Sequence, residues 1–422
     1  MKILLISQYF YPEQFKCNDV AFELQRRGHD VTVVTGIPNY PKGKYYSGYG
    51  ILKRRKEEIN GVKVIRCMLV PRGKCSTIRL ALNYFSFALT STLHVIKMCL
   101  FQHYDAVLVH ETSPVTVGIP GVVAARILHA PLYFWVLDLW PESLQAAGGI
   151  NNRYILGGFD QLTRWIYRHS KRILLSSRGF EQSIKTKGHF EHKLEYFPNW
   201  ADREFETAKC VEIPELPKGF IVMFAGNIGE AQDFENVMAA ALLLKARQNI
   251  HFVLVGDGRK KTWVDDFIKR NGLSETVHCL GRHPLAAMPS FFAKADVMLV
   301  SLKDELIFRL TAPAKLQTYM YSKKPIVTML NGEGSRLVRE ANCGFTAPAG
   351  DSRALAEAIS KAAECTTGEL QEMGLRGRKF YDENFHIDKC MDHLCNMLNE
   401  DVKSNRPAII GVGKGWIMGR ES

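Results

Sequence analysis

The feature that most constrains this chain is a rhythm that runs, stops at a proline-rich break and runs again. Short apolar stretches of strand length recur at Lys2–Ser7, Asp30–Thr35, Lys63–Cys67, Asp105–Val109, Pro131–Val136 and Arg172–Ser176, with helix-spaced segments between them. Cys17–Gly28 shows the pattern: apolar Val20, Ala21 and Leu24 fall at helical spacing and Gly28 ends it. The rhythm resumes at Phe220–Ala225 and continues through Ile250–Val255, Val277–Leu280, Val297–Val300 and Pro325–Met329. Strands that alternate with helices build a parallel sheet covered on both faces. The stretch from Phe197 to Lys218 carries Pro198, Pro214 and Pro217 and reads as a linker. Two doubly wound halves joined there leave a ligand cleft between them, at the carboxyl ends of both sheets. The expected layout is a first domain over 1–197, a linker over 198–218, a second domain over 219–368, C-terminal helices over 369–400 and a tail over 401–422. In that tail Gly411 to Gly415 form a G-x-G-x-G that follows no strand–helix unit, so it reads as floppy chain.

With 422 residues the chain exceeds one ordinary core. An apolar share of 46% with 23% charged residues excludes wholesale disorder. Basic residues outnumber acidic ones, 55 to 43, which suggests nucleic acid, an anionic membrane or a phosphorylated ligand. The excess has an address: between Lys53 and Arg79 nine Lys or Arg face two Glu, a net of seven of the chain's twelve positive charges. An apolar, aromatic stretch, Leu80–Ile96, follows directly. It carries Asn83 and His94 and is slightly short for a span of about 20 residues, so it reads as an interfacial or core helix, with a true span as the alternative. Basic residues beside an apolar helix favour an anionic bilayer surface; a core helix under a solvated basic loop is the plainer reading. No nucleic-acid-binding motif accompanies the charge. The N-terminal MKILLISQYF lacks a small-residue cleavage site and reads as a first strand rather than a signal peptide. Ten cysteines without C-x-x-C pairing suit a reducing, cytoplasmic setting.

Several segments at strand ends carry a resemblance. They are SQYFYPE after the first strand, DLWPES at Asp138–Ser143, FAGNIGEAQ opening the second domain, LVGDG at Leu254–Gly258 and PAKLQTYMYSKKPIV at Pro313–Val327. In this order, over about residues 1–400, the set resembles the retaining family-4 glycosyltransferases of the GT-B fold. Within them it is similar to the bacterial branch that builds O-antigen, capsule and colanic-acid repeat units, including N-acetylfucosamine transferases. The resemblance implies an α/β GT-B fold of two Rossmann-like doubly wound domains. It implies transfer of a sugar from a UDP-linked donor with retention at the anomeric carbon, with no essential metal and no cofactor. The donor would lie against the second domain. The acceptor, an undecaprenyl-diphosphate-linked saccharide, would lie against the first, at the cytoplasmic face of the inner membrane.

Gly226-Asn227-Ile228-Gly229 follows a strand and is expected to open a helix. Glycines let backbone approach a pyrophosphate and the helix N-terminus offers N–H groups to it; an ordinary tight turn is the alternative. Family members carry an arginine and a lysine five residues apart here, where this chain has Asn227 and Gln232, so the positive charge must come from elsewhere. Arg259 and Lys260 after Gly256-Asp257-Gly258 are candidates, as are Arg309 and Lys315 flanking the Pro313 turn. Lys315 and Arg309 are the first choices to stabilise the UDP leaving group; Lys260 reads as a solvated surface charge. The family's two glutamates, with seven residues between them, are replaced by Leu310 and Thr318. Thr318 is retained as a donor contact at that place, Gln317 could replace the carboxylate in part, and Glu333 is a further ribose or phosphate contact. Asp138, where the wider family has a histidine, could orient the acceptor hydroxyl or stabilise oxocarbenium charge, or simply cap the next helix. Glu111 and His110 form an acceptor-side alternative. Retention without a clear protein nucleophile fits a front-face reaction. Two rival readings remain: a UDP-sugar 2-epimerase of the same architecture and a catalytically inactive partner subunit. An NAD enzyme is disfavoured because Lys2–Phe10 lacks the glycine-rich turn that should follow it.

Overall fold

The computed structural model describes residues 1–74, 76–207 and 211–405. The first sheet has eight strands: β1 (Lys2–Ile6), β2 (Asp30–Gly36), β3 (Lys56–Ile59), β4 (Val62–Cys67), β5 (Ala106–Glu111), β6 (Leu132–Val136), β7 (Arg172–Leu175) and β8 (Leu194–Tyr196). They lie in the order β3-β4-β2-β1-β5-β6-β7-β8, parallel throughout except for β3 against β4. The second sheet has six parallel strands: β9 (Phe220–Ala225), β10 (Ile250–Val255), β11 (Val277–Gly281), β12 (Val297–Ser301), β13 (Ile326–Met329) and β14 (Gly344–Ala347). Their order is β11-β10-β9-β12-β13-β14. Every residue of β5, β6 and β10 is buried, as strands covered on both faces require. Strand order reverses beside β1 and beside β9, so the loops leaving those strands flank the crevices where such sheets take ligands.

Three strands have no apolar run to announce them. β3 pairs with β4 through a hairpin whose turn, Asn60-Gly61, takes positive φ at both residues (50° and 80°), the geometry of a two-residue turn between antiparallel strands. β8 and β14 are short and only partly buried.

The expected helix over 80–96 is longer, Thr77–Phe101, and is capped by the Ser76 side chain, which accepts from the Arg79 N–H. Its polar residues turn inward. Asn83 accepts from Gln8 Nε2 (2.7 Å) and donates to the Val70 carbonyl (2.6 Å), and Ser91 donates to the Phe87 carbonyl (2.6 Å). Phe87, Val95, Met98 and Cys99 complete the buried face. The opposite face is also apolar: Phe85, Leu89 and Leu93 leave 55%, 62% and 60% of their surface in water.

The linker is not slack. Phe197, Trp200 and Ala201 are buried, the Trp200 indole N–H donates to Asp19 (2.8 Å), and a short helix covers Glu204–Thr207. The C-terminal helical stretch is two helices, Thr367–Asn384 and Ile387–Asn405. The second returns to the first domain, where Asp401 accepts from Tyr133 Oη (2.8 Å) and Arg172 Nε (3.0 Å), and Asp392 pairs with Arg27. Helix thus runs four residues beyond the expected start of the tail, and Gly411–Gly415 lies outside the described residues. The eight cysteines within them are free thiols.

Candidate active site

A cleft of about 950 Å³ opens between the two domains. Gln14 and Tyr40 of the first domain and Asp202 and Phe205 of the linker face the loops that leave β9, β10 and β11 and the helix Ala314–Tyr321.

Two glycine loops form part of its lining. Gly226 leaves β9 at φ 137° and Gly256 leaves β10 at φ 153°. A side chain on Gly256 would collide with the Gly226 carbonyl oxygen, and one on Gly258 with that of Ile228. The loops touch backbone to backbone, which only glycine permits. Their contact is fixed by the Ile228 N–H donating to Asp257 O (2.8 Å) and the Lys260 N–H donating to Ile228 O (3.0 Å).

One expectation about the first loop is corrected. Gly226–Gly229 does not itself open a helix: a short 3₁₀ turn, Glu230–Gln232, and a left-handed Asp233 (φ 50°) intervene before the helix Phe234–Leu243. Gln232, at one place of the family's basic pair, accepts from the Gly229 N–H (3.1 Å) and closes that turn.

Lys315 brings a cation to the cleft lining. It sits in the first turn of Ala314–Tyr321 and lines the cleft beside Gly226 and Asn227, its Nζ 3.6 Å from the Phe224 ring centroid. Withdrawal from water pushes its ammonium down to about 7. Thr318, one turn on, also lines the cleft, with its hydroxyl against the Ala314 carbonyl (3.4 Å). Gln317 is fully buried with its amide facing the carbonyls of Pro313 and Ala314, a structural placement.

The remaining donor-side candidates stand apart from that lining. Arg309 is exposed in a two-bond pair with Asp304 (2.6 and 2.8 Å). Arg259 is exposed. Glu333 is buried and held by Arg336 through two bonds of 2.8 Å. Lys260 is not the solvated charge expected but pairs with Glu235 (2.5 Å) and Glu230 (3.3 Å). The cleft gains instead Arg282 and His283, which follow β11. Their signal in the sequence was a strand ending in glycine and then a cation, Gly281-Arg282, the same layout as Gly258-Arg259 after β10.

On the first domain, Glu111 ends β5 and Asp138 follows β6, with the Asp138 N–H donating to Glu111 Oε2 at 3.4 Å. Asp138 does not cap the next helix, which Pro141 precedes. Burial, then the neighbouring Asp138 charge, drives the Glu111 carboxyl well above the carboxylate range; burial raises Asp138 to about 7. The pair is built to hold a proton at neutral pH. Neither residue is among those lining the cleft. His110 turns into the core, its Nδ1 3.1 Å from Ser7 Oγ and its ring edge-on to Trp135, and burial pushes it down to about 3. It stays neutral.

Two Rossmann-like domains facing each other across a cleft are a GT-B fold, and solved structures share it. WaaG, a glycosyltransferase involved in lipopolysaccharide biosynthesis, superposes with a TM-score of 0.62 at 14% identity over 94% of this chain and 99% of that one. HepE of Anabaena in complex with UDP superposes with a TM-score of 0.67 at 16% identity over 95% of this chain and 100% of that one. The families agree with the fold. Residues 16–200 match the glycosyl transferase 4-like domain and residues 219–364 match glycosyl transferases group 1. Among curated relatives, "Probable glycosyltransferase WbjE" of Pseudomonas aeruginosa is 30% identical over 60% of this chain and 64% of its own length. The alignment thus spans just under two thirds of that relative. "Putative colanic acid biosynthesis glycosyl transferase WcaI" of Escherichia coli K12 is 25% identical over 72% of this chain and 77% of its own.

Proposed function

We propose that the protein is a retaining glycosyltransferase that moves a hexose, N-acetylated or 6-deoxy, from a UDP-sugar to a lipid-linked saccharide in surface-polysaccharide assembly. The observation that carries this reading is Lys315: one desolvated cation in an interdomain cleft, beside two glycine loops whose backbones are bare. A UDP diphosphate against Gly226 and Asn227 would meet an ammonium whose charge is worth more there than in water. The named polysaccharide relative and the UDP-bound structural neighbour support the donor and the setting.

In the front-face reaction the bond from the anomeric carbon to the UDP oxygen breaks while the acceptor oxygen bonds to the same face. The acceptor proton passes to a phosphate oxygen of the departing UDP. Lys315 stabilises the negative charge that grows on that diphosphate. The protein works at the cytoplasmic side of an anionic membrane, held by its basic stretch and the exposed face of Thr77–Phe101.

UDP or a UDP-sugar should raise the melting temperature with EDTA present, because a ligand of the native state alone stabilises it. The absence of a shift with every UDP-, GDP- and dTDP-sugar would overturn the donor assignment. UDP-sugar turnover with and without lipid-linked acceptor separates a transferase from an epimerase or an inactive subunit.

A further inference from the structure

A second cluster stands on the first-domain side of the cleft and takes no part in the donor chemistry. Tyr40, which lines the cleft, has its ring 5.8 Å from Tyr9 and 5.5 Å from Phe15. The Arg72 guanidinium stands 5.2 Å from the Tyr40 centroid and 5.9 Å from those of Tyr9 and Tyr84, and its Nη2 donates to Tyr84 Oη at 3.2 Å. The backbone beneath is fixed. The Arg72 N–H donates to Asn39 Oδ1 (3.2 Å), and the N–H groups of Asn39 and Tyr40 donate to the buried Glu13 (2.8 and 2.6 Å).

Tyr84 belongs to the helix Thr77–Phe101, and that helix carries the apolar stripe of Ile78, Leu82, Phe85, Leu89 and Leu93. Arg72 therefore joins two surfaces of different character, a polar cleft reached through Tyr40 and an exposed hydrocarbon face reached through Tyr84. The stretch that carries Arg72 is basic: from residue 31 to residue 104 the only acidic residues are Glu57 and Glu58, and Glu57 is paired with Arg66 (2.6 Å), while Glu13 beneath the cluster is buried. A ligand matching this junction has an anion between a sugar and a long apolar chain.

We propose that Arg72, with the rings of Tyr40 and Tyr84, binds the diphosphate and first sugar of a prenyl-diphosphate-linked acceptor, whose chain leaves along the Ile78–Leu93 stripe. The inference rests on the lipid-linked acceptor of the proposed function and gives it an address. A guanidinium held between aromatic rings is pre-organised to present its donors to phosphate. The rings of Tyr40 and Tyr84 offer flat apolar faces to the sugar, and the buried Tyr9, stacked on Phe15, backs the guanidinium.

The test uses the full-length protein and nanodiscs of neutral phosphatidylcholine with or without undecaprenyl diphosphate. A third arm replaces that lipid with phosphatidylglycerol at equal charge. The wild type should bind the undecaprenyl diphosphate discs at least ten-fold more tightly than either other kind. Arg72→Gln should lose about 10–100-fold of that affinity, the range of a charge-assisted contact, and Arg72→Lys less, both with UDP affinity unchanged. Tyr40→Ala should raise KM for a lipid-linked saccharide while leaving kcat near wild type. Equal binding by Arg72→Gln and wild type overturns the proposal, as does wild-type binding that does not distinguish undecaprenyl diphosphate from phosphatidylglycerol. If Arg72→Gln does not fold, Tyr84→Phe decides, since it removes only the hydroxyl partner of Arg72: a several-fold loss supports the site and unchanged affinity overturns it. Failure of the wild type to bind UDP would instead strike the donor reading, and the disc measurements do not depend on it.

Discussion

Lys315 places its ammonium 3.6 Å from the centroid of the Phe224 ring, and a methyl added at Gly226 would come within 3.1 Å of the same nitrogen. The ring face offsets part of the lost hydration of the cation, and the missing side chain at Gly226 leaves it open to the cleft. Because its pKa is lowered to about 7, an arriving diphosphate must draw a proton onto it. UDP affinity should therefore fall as pH rises from 7 to 9, with proton uptake on binding seen by calorimetry in buffers of different ionisation heat. Lys315→Met should weaken UDP binding about 10–100-fold and remove that pH dependence. The same variant should be more stable than wild type near pH 6. A lysine whose native pKa lies below its unfolded value carries its full charge penalty below the native pKa and sheds it as pH climbs. The gain in melting temperature should thus shrink above pH 7.

Glu111 and Asp138 titrate in the opposite sense. Their native pKa values lie above the unfolded ones, so the folded state keeps protons that the unfolded state has already lost, and stability falls as pH rises from about 4.5 toward and beyond 7. Glu111→Gln removes one of these sites. Its melting temperature should match wild type near pH 4.5 and exceed it by a margin that widens to pH 8. A margin that does not change with pH would show that Glu111 is ionised in the native state.

Arg309 and Arg282 exchange the importance their sequence contexts suggest. Arg309 already satisfies Asp304 at an exposed position, where solvent screens the pair. Arg309→Ala should change UDP affinity less than about three-fold. Arg282→Ala, in the cleft lining, should raise the Kd for UDP several-fold. Isothermal titration of both variants checks the order.

The proposed membrane attachment rests on both charge and hydrocarbon. Replacing Lys53, Arg54, Lys74 and Arg79 by serine should weaken binding to anionic vesicles in low salt by orders of magnitude and little in high salt, since each basic residue near such a surface is worth about 1 kcal/mol. Replacing Leu82, Phe85, Leu89 and Leu93 by serine should weaken binding at every salt concentration. Co-sedimentation at low and high salt distinguishes them. Arg55 is left out because its guanidinium bonds the carbonyls of Arg66 and Ile51 and holds the β3 hairpin in place.

What could be read from the residues alone follows physical range. The central strands were legible because a buried parallel strand is an unbroken apolar run, as in VMLV or FIVMFA. β3 and β8 were not, because KEEI and LEY are stabilised by pairing with a neighbour rather than by their own burial. The glycines at 226, 256 and 258 and the cation at 315 were legible as chemistry. Their meeting across two loops and a helix is a tertiary fact. Arg309 misled because a cation beside a motif looks the same whether Asp304 holds it or not. The long helix hid its ends for another reason: the charge-free run stops at Arg79 and Lys97, while the helix continues past both to Thr77 and Phe101.

The return of Ile387–Asn405 to the first domain sets the unit in which this chain can be cut and recombined. Met391, Leu394, Leu398 and Val402 are buried there, and Asp401 joins Tyr133 to Arg172. A fragment ending at residue 200 would present bare hydrocarbon and leave Tyr133 and Arg172 without Asp401, and should aggregate. A chimera that takes its sugar-donor half from another enzyme must exchange an internal cassette and leave both termini behind. The polypeptide passes between the lobes twice, so any opening of the cleft bends two crossings in concert rather than swinging on a single tether.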